Sequence, residues 1–295
     1  MKKIICICLM ALFSSKNALS YELSPPYKML AERWTESSIG DANQVIDDNL
    51  QAKINSVQKS ASSHWKALDV SATRSSLWSD LPLDEINGRD TLGVNIRASM
   101  LRLYGMGRAF RLPGNLHGDQ VLLNDIISSL DFLTSRYYKV DASEYGNWWD
   151  WEIGIPKTLN DLVTLIYPYV SHSQLTQYTA ASRYFSPLPD RNGVSPGAGA
   201  SSNPVNREAT GGNRTDMVQI VLLRGLISER EDEIKNALAA LPQVLETVTS
   251  NDGFYSDGSF IQHKDIPYTG TYGNVLLEGG WESNGVNGQF SMACG

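Results

Sequence analysis

Cysteine is nearly absent from this chain. Only three of 295 residues are Cys, at positions 6, 8 and 294. The first two fall in a segment that reads as a removable export signal. Lys2 and Lys3 supply its positive end, Ile4 to Phe13 its apolar run, and Ala18-Leu19-Ser20 a small-x-small cleavage site. With residues 1–20 removed, Cys294 stands alone and no intramolecular disulfide can form. Stability must then come from an apolar core, for which the chain is long enough. No run of apolar residues is long enough to cross a bilayer, and the N-terminal run is too short for a stable anchor. The expectation is a secreted or periplasmic monomer without a membrane anchor, starting near Tyr21.

An excess of positive charge is also missing. The 25 Lys and Arg residues face 32 Asp and Glu, a net charge of −7, which argues against nucleic acid as a partner. An acidic polysaccharide stays open, because a small cationic cleft can sit on an acidic protein. Histidine is scarce, with four copies. There is no HExxH, no CxxC cluster, no GxSxG elbow and no phosphate loop. Asp252 and Asp257 lack the full calcium-loop pattern. No metal and no cofactor are expected.

What the chain does have is helical periodicity. Val45, Ile46, Leu50, Ile54 and Val57 mark a helix over 42–66, and Leu92 to Tyr104 one over 91–111. Val121 to Leu133 mark a third over 119–138. Pro156 suits the first turn of the next helix, where its missing N–H costs little. Leu159, Leu162, Val163 and Ile166 then follow on one face. Further helices are expected at 178–184, 215–227 and 231–249. Residues 186–212 are rich in Pro, Gly and Ser and read as a long loop, which in a compact domain is functional or disordered. Residues 251–274 read as a second irregular stretch. Helix pairs with long polar loops between them predict an all-α fold of stacked hairpins, an α/α toroid with a cleft at one end. An irregular bundle is the competing expectation.

Residues 147–156, NWWDWEIGIP, place three Trp within four positions beside Asn147, Asp150 and Glu152. Indole faces can stack on sugar rings while amides and carboxylates reach hydroxyls. A buried aromatic cluster is an equally good reading of these ten residues alone. In Thr210-Gly211-Gly212-Asn213-Arg214-Thr215-Asp216 the glycines permit close backbone approach. Asn213, placed just before a helix, could receive a carboxylate with the free N–H groups there, or simply cap the helix. Arg214 beside it is a second candidate anion contact. His263 alone among the histidines lies in a loop dense with polar and aromatic groups. Tyr272 lies in the following Gly- and Tyr-rich segment.

The segments NWWDWEIGIPKTLND, TGGNRTD and DGFYSDGSFIQH…PYTGTYGNVLL resemble polysaccharide lyase family 8, the hyaluronate, chondroitin AC and xanthan lyases. The resemblance runs from about residue 25 to about residue 278. It implies an α/α toroid followed by large β-sandwich domains. It implies that Asn213, His263 and Tyr272 are catalytic and that Trp148 and Trp149 position the sugar chain. The implied reaction is β-elimination. Asn213 would neutralise the uronate carboxylate so that the C5 proton becomes acidic. His263 or Tyr272 would take that proton, and Tyr272 would protonate the departing oxygen. Asn147 and Arg214 join the Trp pair as substrate-binding candidates.

The family pattern brings a catalytic Arg and an assisting Glu from beyond the Tyr motif. The stretch 279–295 does not resemble the helix expected there and reads as an aberrant or truncated tail. The domain expectation is therefore a signal over 1–20, a partial toroid over 21–278 and that tail. Two other functions compete with lyase activity. One is a glycoside hydrolase using paired carboxylates such as Asp150 with Glu152 or Asp257. The other is an inactive carbohydrate-binding fragment.

Overall fold

A computed structural model of the chain describes residues 21–41, 45–83, 89–198 and 205–277. The expected export signal and the tail over 279–295 lie outside the described residues, as do residues 42–44 of the first expected helix. Eight α-helices are described: α1 (Pro25–Ile39), α2 (Asp48–Lys66), α3 (Arg89–Arg111), α4 (Gln120–Arg136), α5 (Ile155–Ile166), α6 (His172–Phe185), α7 (Gly211–Ile227) and α8 (Glu231–Ala240).

The helices form two layers. α3, α5 and α7 pack side by side, α1 touches all three, and α2, α4, α6 and α8 lie against their chain neighbours. This is the hairpin arrangement that the periodicity predicts. Burial follows from it. All 17 residues of α7 are buried. In α5 ten of 12 are buried, rather than the single face read from the sequence. Helices enclosed on every side must satisfy their polar groups internally. Asn160 of α5 does so by donating to the Ile220 carbonyl at 3.0 Å and the Ser182 hydroxyl at 3.2 Å, which ties α5 to α7 and α6.

Several boundaries differ from expectation. α1 was not anticipated, because its apolar positions are few and only Leu30, Ala31, Trp34 and Thr35 are buried. α6 begins at His172, where Ser171 and Gln174 form a reciprocal capping box. α7 begins four residues before the expected start, at Gly211. α8 ends at Ala240, not 249. Pro242 follows, and its ring and missing N–H stop an α-helix, leaving a short 3-10 turn over Pro242–Leu245.

The two irregular stretches carry small sheets. β1 (Arg191–Asn192) pairs antiparallel with β2 (Arg207–Glu208), pinching the long loop closed. β3 (Gly253–Phe254), β4 (Phe260–Gln262) and β5 (Ile266–Pro267) form an antiparallel ribbon. Two wide helical turns of π type, Asp150–Gly154 and Thr269–Gly273, lie next to the tryptophan cluster and around Tyr272. Such turns are rare and occur often at functional sites.

Candidate active site

The three tryptophans have different fates. Trp151 is 1% exposed, and its indole N–H donates to the Tyr145 carbonyl at 2.8 Å. Its ring lies against Tyr138 and Phe185, so it is core. Trp148 and Trp149 are half-buried and pack against Ile153, Ala209, Met217 and Ile220. Each also carries a guanidinium over its ring, Arg207 at 4.9 Å from Trp148 and Arg97 at 5.5 Å from Trp149. Asn147 is exposed, and its side-chain oxygen accepts the Trp149 N–H at 3.1 Å, which fixes the entry to this turn.

The carboxylates beside them are committed to structure. Asp150 pairs with Arg97 at 2.5 Å. Glu152 is fully buried and accepts the Gly193 N–H at 3.1 and 2.9 Å, holding the long loop against the core. Asp257 accepts from its own neighbour Ser259. Two acids facing each other across open space, which hydrolysis needs, are not formed by this set.

Asn213 and His263 line one cleft, His263 bonds Tyr272, and the start of α7 beside Asn213 meets the turn bearing Tyr272, although up to 59 positions separate them. The glycine pair before Asn213 makes this possible. Gly211 has φ +49°, and a Cβ there would lie 1.9 Å from the Gln262 side-chain oxygen and 2.9 Å from the Phe260 ring. A Cβ on Gly212 would meet the Tyr272 carbonyl at 2.9 Å. Only glycine lets the start of α7 press onto the strand bearing Gln262 and the turn bearing Tyr272. Asn213 therefore lies inside the first turn of α7, not before it.

Asp252 locks the other side. It accepts the Thr210 hydroxyl at 2.6 Å, the Gln262 amide at 3.0 Å and the Lys264 backbone N–H at 2.6 Å. Those bonds hold His263 and Lys264 in left-handed conformations, φ 56° and 72°. Non-glycine residues rarely adopt such φ values without a local reason. Because Thr210 spends its hydroxyl on Asp252, it does not cap α7, and the first N–H groups of that helix have no side-chain acceptor among the described residues. These are the groups that favour an anion.

His263 Nε2 and the Tyr272 hydroxyl are 3.0 Å apart, their rings edge to face at 5.0 Å. Tyr268 packs against both. Burial pushes the Tyr272 hydroxyl above its ordinary 10, Tyr268 adds to this, and Arg207 opposes it. Tyr272 is thus protonated at neutral pH.

A cleft of about 480 Å³ is lined by Asn192, Arg207, Asn213, Arg214, Asp252, His263 and others. Arg214 borders it, but its guanidinium donates to Ala240 O at 2.9 Å, Ala209 O at 3.2 Å and Glu208 at 3.4 Å, so it braces the wall. Sequence reading missed Arg207 because it lies in the loop taken as irregular; its only signal was a basic residue six positions before Asn213. Among the described residues no group of three His, Cys, Asp or Glu could hold a metal.

Residues 34–282 match the N-terminal alpha-helical domain of polysaccharide lyase family 8. The chain belongs to this family. Hyaluronate lyase HylB of Enterococcus faecalis is 32% identical over 263 residues, 87% of this chain and 25% of that protein. Xanthan lyase of Bacillus sp. is 30% identical over 282 residues, 93% of this chain and 28% of that one. The chondroitin AC lyase of Streptomyces coelicolor A3, solved with chondroitin sulphate, superposes with TM-score 0.75 at 30% identity over 90% of this chain and 33% of that one. The chain spans a quarter to a third of the length of these relatives. No helix of the described residues is long and apolar enough to cross a membrane.

Proposed function

We propose that this family 8 chain works as a polysaccharide lyase, cleaving a uronate-containing polysaccharide of the hyaluronan or chondroitin type by β-elimination. The observation that carries the proposal is the His263–Tyr272 hydrogen bond at 3.0 Å, with His263 and Asn213 lining one cleft. The Asn213 amide makes no hydrogen bond to the described residues and is 7% exposed, so it is held ready for a substrate group. It would bond the uronate carboxylate as negative charge builds there. Tyr272 enters protonated and serves as the acid to the departing glycosidic oxygen. The C5 proton goes to His263, or to Tyr272 after its own proton has passed to His263 Nε2; both routes use the same hydrogen bond. Trp148 and Trp149, with Asn147, would carry the sugar chain, and Arg214 would brace the cleft. The sequence of residues 1–20 supports action outside the cytoplasm.

Elimination leaves a conjugated C4–C5 double bond, and hydrolysis does not. Incubation with hyaluronan or chondroitin is expected to raise ultraviolet absorbance in step with new reducing ends. New reducing ends without absorbance would replace this reading by hydrolysis. Binding without either product would support the carbohydrate-binding alternative.

Replacing Trp148 and Trp149 together by Ala is expected to weaken polysaccharide binding more than folding. Both rings are only half-buried, and a stacked ring on such a platform contributes roughly 1–3 kcal/mol. Calorimetric binding beside thermal unfolding checks this. Outright unfolding of the double variant would mean that the pair is core, as Trp151 is.

A further inference from the structure

Arg207 is an unspent cation of the cleft. Several other cations near it are tied: Arg97 to Asp150, Lys157 to Asp216, Arg191 to Asn206, and Arg214 to Glu208 and two carbonyls. Lys264 also lines the cleft without a side-chain partner among the described residues, but it has no ring to hold it in place. Arg207 makes no side-chain hydrogen bond or ion pair with the described residues. Its guanidinium instead lies over a ring, 4.9 Å from the Trp148 centroid. A guanidinium held on an indole keeps its N–H edges free in the ring plane, and these match a carboxylate or sulfate in bidentate fashion.

The residue directly across the ribbon strengthens this reading. Asn192 pairs with Arg207 in the β1–β2 register, so the two side chains share one face. Asn192 is 1% exposed, yet neither its amide nitrogen nor its oxygen has a partner. Unpartnered buried amides are uncommon and mark a place where another group belongs. Both residues line the cleft that contains Asn213 and His263.

We propose that Arg207, set on Trp148, is the receptor for a negatively charged substituent of the bound polysaccharide, with Asn192 contributing to the same subsite. This rests on the polysaccharide reading above and adds the group by which the chain is held. The receptor places a positive charge between the tryptophan pair and the catalytic cleft. It also opposes the effect of burial on the Tyr272 hydroxyl.

The test titrates the 295-residue chain, followed by tryptophan fluorescence, with three probes. These are a hyaluronan hexasaccharide, its carboxyl-reduced neutral counterpart, and a chondroitin sulfate hexasaccharide. Arg207→Gln is expected to raise Kd for hyaluronan by about 10- to 100-fold, the size of one charge-assisted hydrogen bond. The neutral counterpart should bind variant and wild type alike. Arg207→Lys, which keeps charge but not the fork, should fall between, and it carries the test if Arg207→Gln fails to fold. A greater loss for the sulfated probe assigns the receptor to sulfate, and an equal loss assigns it to the carboxylate; both support the proposal. Equal loss for neutral and charged probes, or no loss, overturns it while the polysaccharide reading stands. A wild-type chain that binds none of the three overturns both.

Discussion

Asn213→Ala is expected to lower hyaluronan turnover by about 10²–10³, the range for losing one preorganised donor to a developing oxyanion. The argument begins with position. Asn213 is held in the first turn of α7, where the Gly211–Gly212 pair lets the helix press against the elements bearing His263 and Tyr272. Its amide is not spent on any described residue, so the substrate does not have to displace a bond there. On the proposed mechanism the group it serves changes charge during reaction, since removing the C5 proton loads a second negative charge onto the carboxylate. A donor aimed there strengthens as that charge grows, so the loss should fall on kcat more than on KM. Absorbance kinetics at saturating substrate check this, with Asn213→Asp as a charge-repelling companion expected to be at least as slow. Turnover within a few-fold of wild type in Asn213→Ala would remove this residue from the mechanism.

Glu233→Ala should destabilise the fold by about 3–5 kcal/mol, a large share of the ~5–15 kcal/mol available to a typical domain. Glu233 opens α8 and accepts from Arg224 Nε at 2.7 Å and from Arg183 Nε. Arg224 is wholly buried and also donates to the Ser186 carbonyl at 2.8 Å. The cluster therefore joins α6, α7 and α8. Removing the carboxylate strands a buried guanidinium, which costs more than the pair itself contributes. Urea midpoints measure the loss; a change below about 1 kcal/mol would show that water or another group compensates. Acid should reproduce part of the effect. Burial pushes the Glu233 carboxyl up, but Arg224 and Arg183 outweigh it and hold it below its ordinary 4.5. A folded-state value that is depressed means stability present in full above the unfolded value near 4.5 and lost as pH falls through the lower folded one. Glu233→Ala should flatten the pH dependence of stability in that window.

Much of the fold was legible in the residues because helices advertise themselves locally. α2, α3, α4 and α5 were visible in apolar groups spaced three and four apart, and Pro156 marked an entry. α1 was not, since its burial depends on the flanks of α3, α5 and α7 more than on any stripe of its own. The extra length of α6 came from a polar capping box, and the early end of α8 from Pro242. The small sheets were hidden for the same reason in reverse: strands of two or three residues carry too little alternation to register.

The site divides the same way. Ordered motifs were enough to point to the family, and residue types to single out Asn213, His263 and Tyr272 as candidates, because chemistry resides in functional groups that a sequence names directly. Chain order could not separate Trp151, which is core, from Trp148 and Trp149, which are half-exposed; the three differ in what packs over them, not in their neighbours along the chain. Nor could it find Arg207, whose proposed role depends on a ring 59 positions away. The sequence by itself determined most of the helices, the family and the candidate groups, all of which are properties of local pattern. The tertiary structure decided which of those groups face the cleft and which are consumed in holding it together, because burial and partnership are set by segments that meet only on folding.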